Sequence, residues 1–285
     1  MKRQLILASI LATLITAFFL TPNIVKCKIR ATFGDALSQS RLAFAYHDGD
    51  GVTRNEVEAI KWWAKAAQQG DIRSQGMMGR AYWLGDGIKE DHAAAIEWYR
   101  KSADSGDMFS QTMMGVAYLI GDTVEKDHIK SAAWFQKAAE QGELEAQIAV
   151  GADYYNGDGV PKNEAKALEW WRKAAEHNEP DAQYAIGSAY HDGRGVKQDE
   201  HEAVKWWKLA AENGSPFAQY ALGASYYNGG GIEVNIVYAY AWTNLAASKG
   251  VKDAILNRDM FEAQMTPEQI QESQKLSEKL AESVR

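Results

Sequence analysis

The chain has 285 residues and a formal net charge of −7, with 46% hydrophobic and 24% charged residues, which excludes a disordered polymer. An acidic chain without a long Lys/Arg cluster is a poor ligand for nucleic acid, where phosphate neutralisation dominates affinity, so no nucleic-acid partner is expected. Cys27 is the only cysteine, which excludes an intrachain disulfide and a cysteine-rich zinc site.

At the N-terminus, Lys2 and Arg3 precede an apolar block from Leu5 to Leu20, and no further charge appears until Lys26. Residues 1–30 therefore read as a signal peptide or membrane anchor and are set aside from the fold. The uncharged stretch 5–25 just spans a bilayer core at ~1.5 Å per residue. The expected location is outside the cytoplasm: periplasmic, anchored in the inner membrane, or secreted. Contact with the membrane is expected only through this segment.

From Ala36 the chain repeats every 36 residues through six units without an insertion. The columns include Tyr46, Tyr82, Tyr118, Tyr154, Tyr190 and Tyr226, and Trp62, Trp98, Trp134, Trp170, Trp206 and Trp242. A glutamine column runs from Gln39 to Gln219 and a glycine column from Gly49 to Gly229 at the same spacing. In the first unit a helix A is predicted over 36–47 and a helix B over 56–69, separated by a turn rich in Asp and Gly. Helix B begins behind Asn55 and its equivalents Asp91, Asp127, Asn163, Asp199 and Asn235, all of them N-cap residue types. Asn55/Glu58 and Asp199/Glu202 also have capping-box spacing. Gly70, Gly106, Gly142, Asn178, Gly214 and Gly250 are placed to end helix B with a left-handed cap.

On helix B, Ala59, Trp62, Trp63, Ala66 and Ala67 form one apolar stripe, so both tryptophan columns are expected in the core. On helix A, small residues recur at Ala43, Gly79, Gly115, Gly151, Gly187 and Gly223, letting the large aromatics of helix B come close. Neighbouring hairpins must stack to bury these stripes. At the C-terminus, Thr266, Pro267 and Gln269 supply an N-cap, a proline at N1 and a capping-box glutamine for a polar final helix.

The segments DAQYAIGSAYHDGRG (181–195) and KWWKLAAENG (205–214) resemble the Sel1-like repeat, a bacterial relative of the tetratricopeptide repeat. The resemblance implies an all-α, right-handed α-solenoid. Its repeat domain covers 31–251, as six helix-turn-helix units at 36–71, 72–107, 108–143, 144–179, 180–215 and 216–251, followed by capping helices over 252–285. Thr123, Asp153 and Thr243 depart from their columns.

The histidines at 47, 92, 128, 177, 191 and 201 form no HExxH and no compact pair, and the Asp-Gly turns lack calcium-loop spacing, so no metal or cofactor is expected. Without a phosphate loop, a nucleophile elbow or an identifiable acid–base pair, no catalytic residue is named and the chain is read as a non-enzyme. Specificity in a solenoid lies in the varying columns. Helix A positions 40, 44 and 47 and their equivalents form such a stripe, and the related tetratricopeptide architecture implies that it faces a partner. The candidate binding residues are Phe44, His47, Arg80, Trp83, Tyr155, Tyr184, His191, Tyr220 and Tyr227, with Arg80 and Trp83 foremost because Trp83 alone leaves the two tryptophan columns. The expected function is a protein–protein adaptor in the bacterial envelope or at the host interface, acting as a monomer. The alternatives are a glycan- or peptidoglycan-binding envelope protein and a β-lactamase-like hydrolase, although the relatives claimed as hydrolases are rich in paired cysteines.

Overall fold

The computed structural model describes residues 23–284. Among them every regular element is an α-helix. They fall into two compact units that divide after Asp127.

The first unit holds α1 (Asn23–Thr32), α2 (Ala36–Asp48), α3 (Glu56–Gln68), α4 (Ile72–Leu84), α5 (His92–Asp104) and α6 (Met108–Ile120). The second holds α7 (His128–Glu140), α8 (Leu144–Asn156), α9 (Glu164–Ala175), α10 (Pro180–Asp192), α11 (Glu200–Glu212), α12 (Pro216–Asn228), α13 (Ile236–Ser248), α14 (Lys252–Glu262) and α15 (Pro267–Ser283). The apolar stretch 5–25 lies almost wholly outside the described residues. Among the described residues no helix is long and apolar enough to cross a membrane.

α1 begins inside the segment assigned above to a leader. Ala31 is buried, and Ile24 and Cys27 pack against the core of the first hairpin. Gln39 Nε2 donates to Ala31 O at 3.1 Å, matching in register the bond from Gln75 to Ala67 one repeat later. α1 thus stands where the helix B of a preceding hairpin would stand, with Cys27 in the place of Trp63.

The helix ends obey local chemistry. Asn55, Asp91, Asn163, Asp199 and Asn235 each accept a backbone N–H through the side chain. The two capping boxes predicted at Asn55/Glu58 and Asp199/Glu202 form only by half. Glu58 and Glu202 turn instead to Lys61 and Lys205, because a lysine three residues on competes for the carboxylate. The box at Thr266 and Gln269 closes in both directions. Asn178 takes φ of 63°, the left-handed cap that glycine supplies in the other repeats.

One tryptophan column departs from expectation. Trp63, Tyr99, Phe135, Trp171, Trp207 and Thr243 are buried. In the column before it Trp62 and Trp242 are buried, but Trp98, Trp134, Trp170 and Trp206 are half-exposed. In the hairpins of Gly79, Gly151, Gly187 and Gly223 the 63 column turns inward across the small-residue column. A Cβ on Gly151 would stand 2.2 Å from Trp171 Nε1, and one on Gly79 2.6 Å from Tyr99, so glycine is required there. The 62 column lies at the flank, with lysine ammonium groups over its rings at Trp62 (4.1 Å), Trp98 (4.3 Å), Trp134 (3.8 Å) and Trp170 (3.6 Å). Each lysine is three residues on, where an ammonium can remain wet while its stem covers the ring.

Asp153 breaks an Ala/Ser column and is buried with Oδ2 unpartnered. Burial, reinforced by Asp158, pushes its pKa up to about 7. The folded carboxyl holds its proton in a range where the unfolded one has lost it, so stability falls as pH rises from near 4 to near 7.

Phe135→Ala is expected to cost about 3–5 kcal/mol in urea unfolding, and Trp134→Ala clearly less because its ring is already half in water. Asp153→Ala is expected to raise the Tm at about pH 8 and to change it far less at about pH 4. Parallel pH profiles for the two chains in calorimetry would contradict that assignment.

Candidate partner-binding faces on helix A

In the first unit the outward face of α4 lies between α2 and α6. Phe44, Met77 and Phe109 make the apolar walls of a groove of about 500 Å³, with Gly76 in its floor. Arg73 and Arg80 stand on its rim, both exposed. The Arg73 guanidinium lies 4.8 Å above the Phe44 ring, and Phe44 in turn packs edge-on to Trp63 at 5.3 Å. Asp107 also lines the groove, but its carboxylate caps α6 by accepting from Ser110 N at 2.8 Å.

The second unit has a groove of about 500 Å³ on α10 and α12. Tyr184, Ser188, Tyr220 and Ala224 line it beside the pair His191–Glu200, whose Nδ1–Oε2 distance is 2.9 Å. Tyr184 meets Phe217 at 6.0 Å, and the Tyr220 hydroxyl accepts from Asn257 Nδ2 at 2.9 Å. Burial and nearby Asp253 keep that phenol above its ordinary pKa. Asp192 and Glu200 make this groove acidic, whereas arginines rim the first.

The structure therefore brings Phe44 and Arg80 into one groove and Tyr184, His191 and Tyr220 into the other. The remaining candidates are engaged within their own unit. His47 bonds Glu56 at 2.8 Å over Trp63. Burial alone would raise the Glu56 pKa, but His47 and Arg54 outweigh it and hold the carboxyl below its ordinary range. Trp83 stacks on His92, with ring centres 4.2 Å apart and planes at 13°. The Tyr155 hydroxyl accepts from Arg194 at 2.7 Å, and the Tyr227 ring stacks on Phe261 of α14 at 4.4 Å. Gly76 belongs to the expected stripe as the equivalent of position 40, whereas Arg73, Met77 and Phe109 lie outside it. Arg73 and Phe109 occupy the column of Leu37, one turn N-terminal to position 40, so carrying the stripe one turn further would have found them.

The Sel1 repeat family model matches six segments, 36–71, 72–107, 109–143, 144–179, 180–215 and 216–251. The chain belongs to the Sel1 repeat family. It is similar to a Sel1 repeat protein from Oxalobacter formigenes at 30% identity over 75% of this chain and 85% of that one, with a TM-score of 0.68. It is also similar to a protective antigen of uropathogenic Escherichia coli at 27% identity, covering 92% and 79% of the two chains with a TM-score of 0.48. No curated protein matches. Sel1 repeat proteins are in general scaffolds that bind other proteins, and the family is mainly non-enzymatic.

Within this Sel1 repeat protein, Trp83 and Arg80 separate into different roles. Trp83→Ala removes a stacked, half-buried ring and is expected to cost about 1 kcal/mol, whereas Arg80→Ala is expected to stay within about 0.5 kcal/mol of the parent. Urea denaturation of the two single variants reads the difference directly.

Proposed function

We propose that this Sel1 repeat protein is an adaptor that receives a partner protein on the helix A faces of its repeats, at the bacterial envelope or the host interface. One observation carries the reading. Both grooves fall on the varying columns of helix A, while the repeated residues are spent on packing. Residues outside the packing columns can change at less cost to the fold than those within them, which is what a specificity surface requires. Arginines stand at the first groove and tyrosines at the second, both of them types enriched in binding hot spots. The location is supported by the charged and then apolar N-terminal segment, Lys2 and Arg3 ahead of Leu5 to Leu20.

A photo-crosslinking residue placed at Arg80 or at Ser188, on the helix A faces, is expected to trap partner protein. The same residue at Lys61 or Lys208, exposed on helix B, is expected to trap none. Adducts confined to the helix B positions would overturn the assignment of the face. Labelled muropeptide that protects position 188, with no protein adduct at any position, would put a glycan ligand in place of a protein.

A further inference from the structure

We infer that the groove over Gly76 receives an amphipathic helix of the partner, carrying acidic residues seven apart with an apolar residue midway between them. This names the partner chemistry for one of the two faces and rests on the adaptor reading.

The neighbouring interface is built differently. Between the first two hairpins, Ser40 Oγ donates to Asp71 Oδ1 at 3.0 Å, and Ser74 Oγ donates to Ser40 Oγ at 3.0 Å. That closed set fills the space above α4's N-cap. One repeat later the residue equivalent to Ser40 is Gly76. Ser110, equivalent to Ser74, is fully buried there, and its Oγ has no partner. A Cβ built on Gly76 would stand 3.2 Å from Ser110 Oγ and 3.6 Å from Asp107 Oδ2. The missing side chain thus opens the floor of the groove next to an unsatisfied hydroxyl.

Charge says what enters. Neither Arg73 nor Arg80 makes a hydrogen bond or ion pair with any described residue, and Asp107, the one carboxylate in the lining, is committed to capping α6. The groove is a positive site on a chain whose net charge is −7. An incoming carboxylate gains charge-assisted bonds from a guanidinium without first breaking an internal pair.

Spacing says in what form. Arg73 and Arg80 lie seven residues apart on α4, about 10.5 Å along its axis, with Gly76 and Met77 between them. A partner helix laid along α4 repeats that register, with an acid at each end and an apolar side chain at the middle. The absent side chain at Gly76 lets it approach closely, and Phe44 and Phe109 flank the apolar contact. This is helix-in-groove recognition read from anchors a turn or two apart.

Fluorescence anisotropy with the full chain tests the proposal. The probe is a labelled peptide of about four helical turns, with two glutamates seven apart and leucines at the third and fourth places between. Binding is expected to weaken about tenfold when the glutamates become glutamines, and again when Arg73→Glu and Arg80→Glu are introduced. A lysine-bearing peptide is expected to recover affinity for that double variant. Gly76→Ser, which puts back the hydroxyl of Ser40, is expected to weaken binding without lowering the Tm. Equal binding of the glutamate and glutamine peptides, or indifference to the arginine changes, would overturn the proposal. So would an oligonucleotide that binds as tightly and shows the same arginine dependence. Partner adducts at Arg80 with no binding of this peptide would sink only the peptide chemistry. Adducts absent from both helix A positions would sink the adaptor reading itself.

Discussion

Every helix A is tied to the helix B before it by one buried glutamine. Gln39, Gln75 and Gln111 in the first unit donate to Ala31, Ala67 and Ala103, at 3.1 to 3.2 Å. Gln147, Gln183 and Gln219 in the second donate to Ala139, Ala175 and Ala211, at 3.2 to 3.4 Å. The acceptor is a last-turn carbonyl that already takes the backbone N–H of the left-handed residue three on, and the glutamine amide fills its second lone pair, so the buried amide donor is itself satisfied. It also sets the step from one hairpin to the next, because the donor and acceptor helices are joined only by a short turn through a left-handed residue. The same bond from Gln39 joins the apolar packing of Ile24, Cys27 and Ala31 in holding α1 to the first hairpin. In a repeat architecture each hairpin is held chiefly by its neighbours, so a bond repeated at every step has a large effect on the whole.

With the step set by glutamine and the hairpin closed by small residues against a large ring, the outward columns of helix A are left to differ from repeat to repeat. The two grooves show how far they can diverge. On one, a glycine, two arginines and two phenylalanines make a basic, open-floored channel. On the other, tyrosines surround a histidine–carboxylate pair and the lining is acidic. Both grooves are built on the same repeat, and the difference comes from the side chains that line them. Asp153 is the contrary case. It puts a carboxyl into an inward column, and the fold carries the desolvation cost.

The candidate site was legible in part. Phe44, Arg80, Tyr184, His191 and Tyr220 could be found because varying residues at helical spacing share a face. Trp83 drew attention as the tryptophan outside the packing columns, yet its partner is His92, nine residues on across the hairpin turn. Tyr227 was claimed by Phe261, which lies beyond the last repeat in a segment with no periodicity to read. In each case the competing contact comes from another element, and its nearness is a property of the folded chain.

The sequence by itself determined the all-helical hairpins, their period and the residues that cap them. These depend on contacts a few residues apart and on local backbone preferences, which a single chain repeats six times. Only the tertiary structure decided which of two adjacent aromatic columns is buried. Neighbouring positions lie about 100° apart on a helix, so both fit one apolar stripe. The choice falls to whichever side meets the small residues of helix A. It also decided that residues from Ile24 onward belong with the repeats, since the helix that holds them is recognised by what it packs against and not by its own pattern.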